Sequence, residues 1–236
     1  MGGAMRPGRS SRPGSDLGAS SNLQPHPRSG RPPVSLPWTQ RLTLAAMRIS
    51  AWVVYGLGAL PLAWIVYLTL SGGLGPDPAR MLEHRLGLWA LRFLILGLSL
   101  TPLYRLSRIN LRHFRRALGL LAFYYALLHF AAYAVVDQGL NGPAILADLV
   151  KRSYITIGFA ALVLLTPLAL TSNRWSIRRW RKGWVRLHKL VYLATALVVV
   201  HFVMSVKSWP LEPLIYAALV AGLLLLRLLP PVRHQR

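Results

Sequence analysis

Six long apolar runs, at about 49–70, 84–104, 116–136, 154–172, 187–208 and 211–229, are separated by shorter polar segments. Each is close to the roughly twenty residues that an α-helix needs to cross the hydrocarbon core of a bilayer. The apolar residues are continuous where a soluble amphipathic helix would show a stripe. In lipid every backbone N–H and C=O must be satisfied within the segment, so all six runs are predicted as helices. The fold class that follows is an all-α polytopic membrane helical bundle with six transmembrane helices. Pro61, Pro102 and Pro167 predict local kinks or helix ends.

Charge adds direction to this pattern. Arg105, Arg108, Arg112, Arg115 and Arg116 follow the second run, Arg174, Arg178, Arg179, Arg181, Lys182 and Arg186 follow the fourth, and Arg233 and Arg236 follow the sixth. The alternate loops hold few cations and five acids, Asp77, Glu83, Asp137, Asp148 and Glu212. The positive-inside rule then predicts both termini in the cytoplasm, N-in and C-in. A net charge of +22 would suit nucleic acid, but the basic residues lie between spans and leave no soluble domain to dock on a duplex. The lipid bilayer is the expected partner; nucleic acid is not.

Residues 1–46 are rich in Arg, Pro, Gly and Ser and lack an apolar run that could offset the entropy of ordering them. They read as a disordered cytoplasmic extension, followed by a six-helix domain over 47–230 and a basic tail at 231–236. No signal-peptide pattern precedes the first run, which is long enough to span, and Met47 is an alternative start. The chain ends soon after the sixth run, so no appended soluble domain is expected.

The chemistry lies in histidines. With no cysteine in the chain, disulfides, thiolate-ligated clusters and covalent c-type haem attachment are excluded. At about 1.5 Å per residue, His129 on the third helix and His201 on the fifth both lie about 20 Å from the cytoplasmic face. His188 lies at the opposite level of the fifth helix. Two imidazoles at one depth could hold a metal, but zinc needs three or four ligands and no third candidate shares their level. Haem resolves the shortage because its macrocycle supplies four nitrogens. The expected group is a non-covalent b-type haem between His129 and His201, with His188 suggesting a second and hence one or two haems in all. The plainer reading is that these histidines hydrogen-bond to neighbouring helices.

Arg92 is the basic residue well inside the second helix, where its planar donor fork would suit a haem propionate or a flavin phosphate; snorkelling is the alternative. Arg227, near the end of the sixth helix, reads as a snorkeller. His84 stands at the outer end of the second helix and His113 among cytoplasmic arginines, where solvation is expected. Phe123, Tyr124, Tyr125, Phe130 and Tyr133 could line a cofactor or simply pack, and Met204 reads as packing rather than as a ligand.

The ordered motifs "GGLGPDP", "HRLGLWALRFL", "FRRALGLLAFYYALLHFAAY", "KRSYITIGFAAL", "PLALTS" and "KGWVRLHKLVYLATALVVVHFVMSVK" closely resemble the MsrQ family. These are haem-binding membrane subunits of bacterial MsrPQ methionine sulfoxide reductase systems, in the ferric reductase-like transmembrane superfamily. The resemblance spans about residues 47–229. It implies electron transfer from the membrane quinol pool across the bacterial inner membrane to a periplasmic molybdopterin enzyme, MsrP, with b haem and FMN as cofactors. His129, His188 and His201 fall on the family's histidine positions, and His84 matches a further one. The superfamily carries two histidines on each of two helices, whereas the third span here holds only His129, leaving the second ligand of an inner haem unassigned. Sulfoxide chemistry is expected on the partner. Rival readings are a ferric-chelate reductase or oxidase-type haem core, a haem-free transporter relaying protons through histidines, and a structural anchor.

Overall fold

The computed structural model describes residues 37–206 and 210–228. The expected extension up to residue 36 and the expected tail at 231–236 lie outside the described residues. All regular structure among the described residues is helical: α1 (Trp38–Arg48), α2 (Ala51–Leu70), α3 (Pro78–Ser107), α4 (Arg115–Ala132), α5 (Gly142–Lys151), α6 (Ser153–Leu170), α7 (Arg174–Trp180), α8 (Lys182–Leu187), α9 (Leu190–Ser205) and α10 (Leu211–Leu228). A short 3₁₀ turn, Arg112–Phe114, leads into α4, and a π-helical turn, Tyr133–Asp137, follows it.

Five helical segments are long and apolar enough to cross a membrane: Ala51–Leu70, Pro78–Ser107, Arg112–Asp137, Ser153–Leu170 and Lys182–Ser205. They coincide with the first five predicted runs, and α10 occupies the sixth. The predicted class, an all-α membrane bundle, is the observed one. Residues 38–46 are a correction to the expected disordered extension, since they form most of α1. Polar and apolar residues alternate helically in "WTQRLTLAAMR", a pattern that a search for uninterrupted apolar runs passes over. The three prolines end no helix early, for Pro61, Pro102 and Pro167 all lie inside α2, α3 and α6.

Local capping explains where the long helices begin. Asp77 accepts from the Arg80 backbone N–H at 3.2 Å, and Pro78 occupies the first turn, where its missing N–H costs nothing. This start puts Glu83 inside α3, ahead of the apolar run that begins at His84. Asn141 caps α5 in the same way, accepting from the Ala144 N–H.

The bundle is organised as two closely packed pairs, α3 with α4 and α6 with α9. Small residues make the approach possible: Ala122 and Ala194 are fully buried, and Ala117 and Ala161 nearly so. Without a hydrophobic drive between helices in lipid, such close van der Waals contact is what holds spans together. Contacts of α4 with α6 and of α3 with α9 join the pairs, and α2 and α10 flank them. α2 leaves Trp52, Leu57, Leu60, Trp64 and Leu70 largely exposed, an apolar face suited to lipid.

Tyr125 ties α2 to the core. Its hydroxyl donates to the Gly58 carbonyl at 2.7 Å, and a Cβ at Gly58 would stand 2.5 Å from Leu121 Cδ1, so α2 can approach only because that side chain is missing. Tyr125→Phe should lower stability in detergent by about 1 kcal/mol, the usual net worth of one hydrogen bond, read as a fall in unfolding midpoint. An unchanged midpoint would show that this bond contributes nothing.

Candidate functional site

Each of the two helix pairs brings one histidine to the centre. His129 projects from α4 toward α3, and its Nδ1 lies 2.8 Å from the Glu83 backbone carbonyl. His201 projects from α9 toward α6, with Nδ1 2.7 Å from the Tyr154 carbonyl. A carbonyl only accepts, so in both rings Nδ1 carries the proton and donates. That leaves Nε2 as the lone-pair nitrogen on each ring, and no described residue bonds to either. Fixing a histidine tautomer through Nδ1 to a carbonyl is how proteins orient imidazole ligands and raise their basicity.

The two cradles repeat one design. One helical turn beyond each accepting carbonyl stands a glycine, Gly87 after Glu83 and Gly158 after Tyr154. A Cβ at Gly87 would lie 3.1 Å from His129 Nδ1, and one at Gly158 only 2.7 Å from His201 Nδ1. Each ring therefore rests against bare backbone. The ring centres are 6.1 Å apart and the planes nearly perpendicular, at 73°. A metal held from opposite sides by imidazole nitrogens at about 2 Å each would separate the ring centres by about 6 Å.

Around these rings lies a cavity of about 470 Å³. Its deep walls are apolar, with Leu91, Leu94, Ala161, Leu165 and Val198, and its mouth carries Arg80, Glu83, His84, Asp137, Arg152 and Tyr154. The size suits an organic cofactor. Among the described residues no cluster of three His, Cys, Asp or Glu is present, so a bare ion would lack ligands. A planar macrocycle that brings its own four nitrogens fits this donor set: two tautomer-fixed imidazoles, glycine cradles and apolar walls.

The remaining candidates fall elsewhere. His84 lies at the mouth, 3.9 Å from Glu212 and substantially exposed. Arg92 does not reach the cavity: its Nε donates to Tyr216 on α10 at 2.8 Å, and its guanidinium lies over Trp89. The cations that do line the cavity, Arg80 and Arg152, were not among the predicted site residues. Arg152 is braced by Asp148 at 3.0 Å, which also accepts from the Tyr133 hydroxyl. Asn141 capping a Gly-Pro start is the one sequence signal that points to α5, the helix that carries Asp148.

His188 lines a second cavity of about 560 Å³ together with Arg112, His113, Arg115, Trp184 and Arg227. Leu94 and Leu165 border both cavities and separate them. The His188 ring stacks on Trp184 with centres 3.9 Å apart, and its Nε2 is 3.1 Å from Thr171 Oγ1. Thr171 Oγ1 also lies 2.6 Å from the Pro167 carbonyl, which takes its only proton. His188 Nε2 must then be the donor to Thr171, and it is engaged. His113 is exposed and packs on Phe114. This end has one committed imidazole and a ring of cations where the other end has two opposed rings.

Residues 86–199 match the family described as ferric reductase like transmembrane component. A protein-methionine-sulfoxide reductase heme-binding subunit MsrQ of Brucella anthropi is 58% identical over 185 residues, covering 78% of this chain and 84% of that protein. The proteins of the same name from Brucella ovis and Brucella abortus are 60% identical over the same shares. No solved structure matches. With that identity over most of both chains, and with the matched region overlapping all four of the paired helices just described, the chain belongs to the MsrQ family of the ferric reductase-like transmembrane superfamily.

Proposed function

We propose that this chain is the haem-binding electron-transfer subunit of a methionine sulfoxide reductase system, passing electrons from membrane quinol to a periplasmic MsrP-type partner. The observation that carries this reading is the His129–His201 pair, two proton-fixed imidazoles with ring centres 6.1 Å apart across a cofactor-sized cavity. One b-type haem is the occupant the donor set favours. When bound, it would supply the one-electron couple that the side chains of this chain lack.

The residues divide the remaining work. Nδ1–H donation to Glu83 and Tyr154 keeps both rings from rotating and presents Nε2 to the cavity. Leu91, Leu94 and Leu165 exclude water around the pair, which favours a fixed potential over side reactions. Arg80 and Arg152 offer charge-assisted donors at the mouth for carboxylate groups. At the other end, donation by His188 Nε2 to Thr171 leaves Nδ1 as a proton acceptor, which suits a donor such as a quinol that gives up protons with its electrons. FMN, implied by resemblance alone, has no comparable donor set assigned to it. The inner bacterial membrane, with six spans and both termini in the cytoplasm, is the setting that the distribution of cations supports.

The test measures haem count and reduction together. Pyridine haemochrome analysis should give one haem per chain in the wild type, and membranes given a quinol should reduce it. His188→Ala should keep that single haem and slow quinol-dependent reduction by about tenfold or more, the usual scale for losing a positioned proton acceptor. A loss of one haem per chain in His188→Ala would establish His188 as a ligand and overturn the single-haem reading. Protein without a Soret band would favour a haem-free transporter.

A further inference from the structure

The end of the bundle where α3 stops and α4 begins carries an unbalanced positive charge. Arg227 of α10 turns into the bundle, donating through Nη2 to the Leu98 carbonyl at 2.7 Å and to Thr101 Oγ1 at 3.0 Å, and through Nη1 to the Tyr192 hydroxyl. Arg115 of α4 donates through Nη2 to the same Thr101 oxygen. Two guanidinium groups thus converge on one neutral hydroxyl. Like charges this close repel, and partial removal from water sharpens the cost.

No acidic side chain among the described residues offsets them. The acidic residues among those described are Asp77, Glu83, Asp137, Asp148 and Glu212, and all lie at the opposite end of the bundle. Arg227 Nε is buried and has no hydrogen-bond partner among the described residues. Both guanidinium groups line the cavity of about 560 Å³, whose wall also contains Arg112, Arg116 and Lys189. Arg115 is exposed and commits only Nη2 to Thr101, so its remaining N–H groups, beside the Arg227 guanidinium, match the several acceptor oxygens of a phosphate. The surroundings are apolar on the lipid side, where Leu103 and Leu106, just beyond the shared acceptor Thr101, and Leu225, two residues before Arg227, are exposed. Such a surface suits an acyl chain.

We propose that Arg115 and Arg227 form a phosphate-binding site, occupied by the headgroup of an anionic phospholipid whose chains lie against the exposed leucines. The assignment does not depend on haem. It also revises the reading of Arg227 as a snorkeller, since the side chain bonds inward to three partners.

Native mass spectrometry of the purified full chain, titrated with phosphatidylglycerol or phosphatidylcholine, tests the site. The wild type should retain phosphatidylglycerol about tenfold more strongly, and Arg115→Gln and Arg227→Gln should each lose about five- to tenfold of that retention. Arg178→Gln, exposed on α7, should retain it as the wild type does. Unfolding midpoints of the lipid-free variants separate loss of binding from loss of fold, and the wild-type preference is readable even if Arg227→Gln does not fold. Displacement of the lipid by millimolar inorganic phosphate would keep the site and make free phosphate its occupant. Equal retention of the two lipids by the wild type, or undiminished retention by a folded Arg115→Gln, would overturn the proposal.

Discussion

His201→Ala should purify with less than about a tenth of the wild-type haem, and His129→Ala should do the same. Loss of orienting groups around a ligand already costs roughly ten- to hundredfold in affinity, and loss of the ligand itself should cost no less. The equal effect is the informative part. The two rings are held alike, each by one carbonyl at 2.7–2.8 Å and one glycine, and they stand face to edge at 6.1 Å. A cofactor bound by one imidazole alone would make one variant severe and the other mild. His84→Ala is the control, because that ring sits at the cavity mouth beside Glu212 and should leave haem content unchanged. The readout is the Soret band and haem-to-protein ratio, with helical circular dichroism confirming the fold. Full haem retention in either histidine variant would remove that residue from the ligand set.

The spans and the shared level of His129 and His201 were legible because both depend on counting. An apolar run long enough to cross must be a helix, and a helix converts residue number into depth. What counting cannot supply is azimuth. Arg92 sits at a plausible depth for meeting an anion, yet α3 is apolar on several sides, so no stripe marks which way each side chain points; it turns toward Tyr216 on α10. Arg227 illustrates the same gap, since a terminal arginine on an apolar helix reads as reaching for water until its partners on α3 and α9 are known. The carbonyl partners of the two histidines were invisible for a related reason. They belong to the helices paired with α4 and α9, and pairing is set by small residues such as Ala122 and Ala194 that carry no chemical signal. Gly87 and Gly158 were the available clue: a glycine within a span, at the level of a histidine on another span, marks a place where a ring could lie against backbone.

The two glycines also separate a positioning role from general packing. In Gly158→Ala the new Cβ would lie 2.7 Å from His201 Nδ1, 2.8 Å from Cε1 and 3.1 Å from Cγ, closer than carbon and nitrogen tolerate. The ring has to move, and it cannot do so without stretching the 2.7 Å bond from Nδ1 to the Tyr154 carbonyl. Both the direction of Nε2 and the basicity of the ring change together. In Gly87→Ala the nearest approach is 3.1 Å to His129 Nδ1 and 3.3 Å to Cε1, which a shift of a few tenths of an ångström relieves. Gly158→Ala should therefore weaken haem binding by about ten- to hundredfold, whereas Gly87→Ala should stay within about threefold of the wild type. Alanine favours helix over glycine by about 1 kcal/mol, so helix propensity alone would push both variants toward greater stability. Haem titration of the apoprotein gives the affinities, and the low-spin signal of the ferric protein reports ring orientation independently of how much haem is bound. Equal, mild effects of the two alanines on both readouts would mean that the His201 ring has slack that the 2.7 Å contact denies, and that backbone closeness does not set the ligand's orientation.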